Sequence, residues 1–121
     1  NDAYIYCSLG QKRYLSILKY ADVMIGNSSS GIIESPIFKL PVVNIGDRQK
    51  GRLRNNNIVD VGYDKEEIIK ALNKILHDKF FKENLNHIEN VYGDGNVSEK
   101  IITVLKSINI DKKLLSKKLT Y

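Results

Sequence analysis

The sequence predicts an α/β domain, a Rossmann-like parallel sheet flanked by helices, and two patterns predict it. Short continuous apolar runs at residues 23–26, 40–46 and 58–61 have the profile of strands buried on both faces of a parallel sheet. Stretches with apolar residues at helical spacing lie between and after them, and strands that alternate with helices pack as a parallel sheet covered by those helices. In such sheets ligands bind beyond the carboxyl ends of the strands.

The elements follow in order. Residues 3–7 read AYIYC, a β-rich run that predicts a first strand. Leu9 and Gly10 then turn the chain into a helix with Tyr14, Leu15, Leu18 and Ala21 on one face. The strand at 23–26 stops at Asn27 and opens into GNSSSG. From Gly31, the residues Ile32, Ile33 and Ile37 line a short helix, with Pro36 and Pro41 limiting its reach. The strand at 40–46 runs into the loop GDRQKGR. Beyond the strand at 58–61, Asp64 and Glu67 have the spacing of a capping box. Ile68, Ile69, Leu72, Ile75 and Leu76 form an apolar stripe that runs to about His77. A less regular stretch leads to the turn YGDGN, and Asn96 with Glu99 makes a second candidate capping box ahead of Ile101, Ile102, Leu105 and Ile108. The closing run DKKLLSKKLTY reads as a solvated or frayed helix.

Composition narrows the class. The 121 residues, 42% of them hydrophobic and 27% charged, fit a single globular domain and exclude disordered and membrane-spanning chains. No apolar run approaches the ~20 residues that cross a bilayer. The net charge of +5 is compatible with phosphate binding, but basic strands interleaved with aromatic residues, the mark of single-strand nucleic-acid binders, are missing, and no nucleic-acid partner is expected. The single cysteine, Cys7, cannot form an internal disulfide; no Cys/His spacing suggests a metal, and a reducing cytoplasm suits both. The sequence opens at Asn1 without a leader pattern, and we expect a segment of a longer protein, the whole of 1–121 being one partial domain.

The turn at 25–34 carries the chemistry. Small hydroxylated residues between a buried strand and a helix start expose backbone donors, which attract an anionic oxygen. Asn27, Ser28, Ser29, Ser30 and Gly31 form this turn: the serines add hydroxyl donors, and Gly31 lets a phosphate approach where a Cβ would collide. The competing reading is that the serines only cap a helix. Glu34, one turn later, is suited to the paired hydroxyls of a ribose, although an acid in a first turn is also favoured by the helix dipole. In the next loop Arg48 and Arg52 offer guanidinium groups for phosphate oxygens or simply solvated charge. The conjunction of turn, acid and arginine loop favours an anionic nucleotide.

The motifs GNSSSGIIE, LPVVNIGDRQKGR and YGDGN, in this order and spacing, closely resemble the C-terminal domain of hydrolysing UDP-N-acetylglucosamine 2-epimerases over about residues 9–107. The resemblance implies the nucleotide-holding domain of a GT-B-type two-domain fold. It also implies elimination of UDP across C1 and C2 of the sugar followed by addition of water, which releases N-acetylmannosamine in sialic-acid-type biosynthesis. A relative in the same branch acts on a UDP-diacetamido-trideoxyhexose. Ser28 and Ser29 are then expected at the diphosphate, Glu34 at the ribose, and Arg48 at the phosphates, where it stabilises the leaving group. Tyr14 is expected near the uracil, against its alternative as a core aromatic. No metal or other cofactor is implied, a homo-oligomer is, and the general acid and base are expected on the other domain. His77 and His87 are read as surface residues. The isolated segment should bind UDP weakly without turnover. The alternatives are the related hydrolysing epimerase for a UDP-diacetamido-trideoxyhexose, a GT-B glycosyltransferase donor domain and a non-catalytic UDP-binding module.

Overall fold

The computed structural model describes residues 2–116. Its order is α1 (Gly10–Tyr20), β1 (Met24–Gly26), α2 (Ser30–Ile33), a 3₁₀ turn (Ser35–Phe38), β2 (Val42–Ile45), β3 (Ile58–Val61), α3 (Lys65–His77), α4 (Lys79–Leu85), α5 (Val97–Ser107) and α6 (Lys112–Leu115). The three strands form one parallel sheet in the order β1-β2-β3. Met24 pairs with Val42, and Val42 with Ile58. The expected α/β class with a parallel, helix-flanked sheet is therefore what the chain forms.

The central strand has the apolar content to sit between neighbours on all sides. Val42 and Val43 are buried. Val43 joins Ala71, Ile75 and Phe81 in a core that Val23, Ile45, Val59, Val61, Leu72 and Leu85 surround. Val42 faces the α2 layer, where Gly31 is buried. A Cβ at Gly31 would meet Val42 Cγ1 at 3.1 Å and Met24 Sδ at 3.6 Å, so this glycine lets α2 press on the sheet. Gly46 has φ 77° and the Tyr63 ring lies where its Cβ would stand, so only glycine makes the turn at the end of β2 without strain. β1 is less enclosed than expected: Ile25 is 48% exposed, because no strand pairs with its outer edge among the described residues.

The same missing neighbour explains residues 3–7. They form no strand, and Tyr4, Ile5 and Tyr6 lie exposed. A β-prone run becomes a strand only when another backbone completes its ladder. On α1 the expected face forms, with Leu18 buried and Tyr14 and Leu15 half-buried.

Both capping boxes close differently from the expected pattern. Asp64 accepts from the N–H groups of Glu66 and Glu67 at 3.0 and 3.1 Å. The Glu67 carboxylate, however, reaches past Asp64 to the Gly62 N–H at 2.9 Å. Replacing Asp64 by Ala is expected to destabilise the fold by about 1 kcal/mol, measurable by urea denaturation, while Glu66→Ala serves as the near-neutral control. Asn96 makes no side-chain cap. Asp94 takes that place by accepting from the Asn96 N–H at 3.0 Å. That bond, together with Lys100 at 3.1 Å, lowers the exposed Asp94 carboxyl to about 2. The stretch after His77, expected to be irregular, contains α4. Asp78 caps it by accepting from the Phe81 N–H at 3.1 Å, and Phe81 is buried.

The last expected helix forms as α5, but none of its residues is buried, and Ile101, Ile102 and Leu105 stay half or more exposed. In the C-terminal run α6 forms behind an Asp111 cap; the rest of that run, 117–121, lies outside the described residues.

Candidate functional site

Two loops leave the carboxyl ends of adjacent parallel strands: residues 27–29 after β1, and the GDRQKGR loop after β2. The pairing of Gly26 with Asn44 puts those ends side by side. Arg48 Nη1 donates to the Asn27 carbonyl at 3.0 Å, and Gln49 Nε2 donates to the same oxygen at 2.7 Å. The arginine loop is thus hooked onto the first residue of the serine turn.

The turn itself is open. Ser29 stands at the N-cap of α2 without a side-chain cap bond, so of the serines before the helix it is Ser28 that has a capping contact. Ser28 Oγ accepts from the Ser30 N–H at 3.3 Å, which leaves the Ser28 proton free to donate. The main-chain N–H groups of Ser28 and Ser29 have no hydrogen bond among the described residues. Gly31 differs from its expected role. Its N–H is bonded to the Ser28 carbonyl at 3.1 Å, and its missing Cβ serves the contact with Val42, so it presents no donor to an anion.

On the other side of the turn, Ser30 Oγ is hydrogen-bonded to both Tyr14 Oη and Glu34 Oε2. Tyr14 therefore turns its hydroxyl to the turn although its ring lies on the packed face of α1. Asn27, Ser28, Ser29, Ser30, Glu34, Tyr14 and Arg48 are brought together in this way. Arg52 is not: its side chain is exposed and unbonded among the described residues. His77 ends α3 and His87 follows α4, both exposed.

Several residues that hold the site were not singled out from the sequence. Gln49 is 2% exposed. Behind it Arg54 donates to the Gln49 carbonyl at 2.6 Å and forms an ion pair with Asp60, which also accepts from Asn44 Nδ2 at 2.6 Å. This chain of contacts ties the arginine loop to β2 and β3. Asn44 carried the available signal: a polar residue inside an apolar strand needs a buried partner. Asn55 bonds the Glu89 carbonyl and accepts from the Val91 N–H at 3.3 Å. Tyr92 Oη donates to the Leu53 carbonyl at 2.8 Å. The third motif and the residues before it are thereby fastened to the segment that follows the second.

A hollow of about 350 Å³ between Gly46, Asp47, Lys50, Gly51, Arg54 and Asp60 adjoins the arginine loop. Another, of about 420 Å³, runs between β3 and α3 from Val59 to Lys74, away from the turn. Among the described residues no group of three or more His, Cys, Asp or Glu could hold a metal ion, and no helix is long and apolar enough to cross a membrane.

Residues 1–106 match the family described as UDP-N-acetylglucosamine 2-epimerase. A "GDP/UDP-N,N'-diacetylbacillosamine 2-epimerase (hydrolyzing)" of Campylobacter jejuni is 51% identical over 110 residues, 90% of this chain and 28% of that protein. A "UDP-N,N'-diacetylbacillosamine 2-epimerase (hydrolyzing)" of Legionella pneumophila is 39% identical over 116 residues, 96% of this chain and 29% of that one. A "Polysialic acid biosynthesis protein P7" of Escherichia coli is 38% identical over 99 residues, 82% of this chain and 25% of its own length. The chain thus spans under a third of the length of these relatives. With a parallel sheet of which two adjacent strand ends carry the serine turn and the arginine loop, and a match over nearly its whole length, the chain belongs to the UDP-N-acetylglucosamine 2-epimerase family.

Proposed function

We propose that the full-length protein is a hydrolysing UDP-sugar 2-epimerase, that this chain is its UDP-gripping part, and that the substrate is UDP-N,N'-diacetylbacillosamine. The observation that carries the site is the hook of Arg48 on the Asn27 carbonyl, which supports a guanidinium beside the free N–H groups of Ser28 and Ser29. The names of the Campylobacter and Legionella relatives support the diacetamido sugar. The Escherichia coli relative favours a second reading, UDP-N-acetylglucosamine converted to N-acetylmannosamine for sialic-acid-type products.

In this reading Ser28 and Ser29 hold the diphosphate, Glu34 accepts from the ribose diol, and the Tyr14 ring lies by the uracil. A base takes the proton from C2. The electron pair left behind forms the C1–C2 double bond as the C1–O bond breaks, and UDP departs with the bonding pair. Water then adds, hydroxyl to C1 and proton to C2 on the opposite face, giving the free 2-epimer. As UDP leaves, negative charge grows on its β-phosphate. The serine N–H and hydroxyl donors and the Arg48 guanidinium oppose that charge more strongly than they oppose the ground state, which is the condition for lowering the barrier. The general base belongs to a part of the protein outside this chain, and neither His77 nor His87 is assigned the role. We place the enzyme in the cytoplasm, a compartment that suits the lone Cys7.

The full-length protein, incubated with each UDP-sugar in heavy water, is expected to release UDP and a free 2-epimer carrying deuterium at C2, faster from the diacetamido sugar. Transfer of the sugar to an acceptor with no free epimer formed would show a glycosyltransferase instead, and nucleotide binding with no turnover a binding module.

A further inference from the structure

Ser30 occupies a position in the turn that its neighbours do not share. Its Oγ lies between Tyr14 Oη and Glu34 Oε2 and is bonded to each. A hydroxyl carries a single proton, and an ionised carboxylate only accepts. The Ser30 proton is therefore directed at Glu34, and the Tyr14 hydroxyl donates to Ser30 Oγ. Ser30 has no proton left for a phosphate oxygen, and its main-chain N–H is engaged by Ser28 Oγ. What it does instead is tether one oxygen of Glu34. The other oxygen, Oε1, makes no hydrogen bond among the described residues.

Resting on the UDP reading, we propose that Tyr14 and Ser30 are positioning residues: a hydroxyl relay from α1 to α2 that aims the free oxygen of Glu34 at the ribose and so sets the preference for ribose over 2'-deoxyribose. A glutamate side chain has several rotatable bonds, and fixing them before the ligand arrives removes an ordering cost from binding. The relay spans residues 14 to 34, so the orientation of the carboxylate depends on how α1 docks against the turn. Tyr14 then acts through its hydroxyl as well as through any contact its ring makes.

The experiment uses the full-length protein and titrates UDP, 2'-deoxy-UDP and inorganic pyrophosphate by calorimetry. The unmodified protein is expected to prefer UDP over 2'-deoxy-UDP by about tenfold, the size of one hydrogen bond to a charged group. Tyr14→Phe, which keeps the ring, and Ser30→Ala should each lower that preference to about two- to threefold. Pyrophosphate affinity should stay unchanged. The double variant should be no worse than Ser30→Ala alone, because both groups act through one path, and Ser30→Thr should restore the preference. Should Ser30→Ala fail to fold in a thermal melt, Tyr14→Phe still decides. Variants that retain the tenfold preference, or that lose UDP, 2'-deoxy-UDP and pyrophosphate in parallel, overturn the relay. An unmodified protein that binds neither nucleotide overturns the UDP reading and the relay with it.

Discussion

Arg48→Ala in the full-length protein is expected to lower kcat/KM for UDP release about 10²-fold, with most of the loss in kcat. The figure is that of removing one preorganised donor from a site where charge develops in the transition state. Arg48 is exposed and among the described residues its side chain bonds only the Asn27 carbonyl, so its removal strands no buried group there, and the melting temperature should barely move. Arg48→Lys keeps the charge but loses the planar fork and should recover only part of the rate. Arg52→Ala, on the same loop but outside the cluster, is the matched control and should lose less than about threefold. Steady-state kinetics on the three variants checks the assignment. Equal losses at Arg48 and Arg52 would mean that the loop contributes general positive charge rather than one aimed guanidinium.

The second large effect is on stability. Asn57 is fully buried, and its Nδ2 donates to Ser35 Oγ at 2.8 Å and to the Leu40 carbonyl at 2.6 Å. Ser35 in turn donates to the Gly31 carbonyl at 2.7 Å. These bonds join the start of β3 to the 3₁₀ turn and so to the floor of the serine turn. Asn57→Ala strands the Leu40 carbonyl and opens a cavity. A loss of about 3 kcal/mol follows from the unsatisfied group and the lost packing, a large share of the roughly 5–15 kcal/mol typical of a domain. Its neighbour Asn56 is exposed, and Asn56→Ala should change stability by less than about 0.5 kcal/mol. Urea denaturation followed by circular dichroism separates the two, and equal midpoints would remove the network from the account of the fold.

These two residues also mark how far the sequence could be read. Arg48 was legible because it sits in a charged loop just after an apolar strand, where chemistry is expected. Asn57 is one of three consecutive asparagines, and nothing in the run NNN distinguishes the buried Asn55 and Asn57 from the exposed Asn56. For Asn57 the difference is made by Ser35 and Leu40, 22 and 17 residues away along the chain, and for Asn55 by Glu89 and Val91. Gln49 is hidden in the same way beside the conspicuous Arg48, and nothing local shows that a Cβ at Gly31 would meet Val42.

By itself the sequence determined what depends on local order: the positions of the three strands, the amphipathic α1, α3 and α5, the Asp64 cap, and the placement of the serine turn and arginine loop at strand ends. Apolar periodicity and capping are effects of residues within a few positions of one another, so they survive in a linear reading. Tertiary structure decided which backbones find partners and which polar groups share a proton. It left residues 3–7 without a ladder and α5 without a buried residue. It also joined Tyr14, Ser30 and Glu34 into one chain and chose Arg48 over Arg52. Those outcomes depend on distances between segments far apart in the chain, and such distances exist only once the sheet has set the helices and loops against one another.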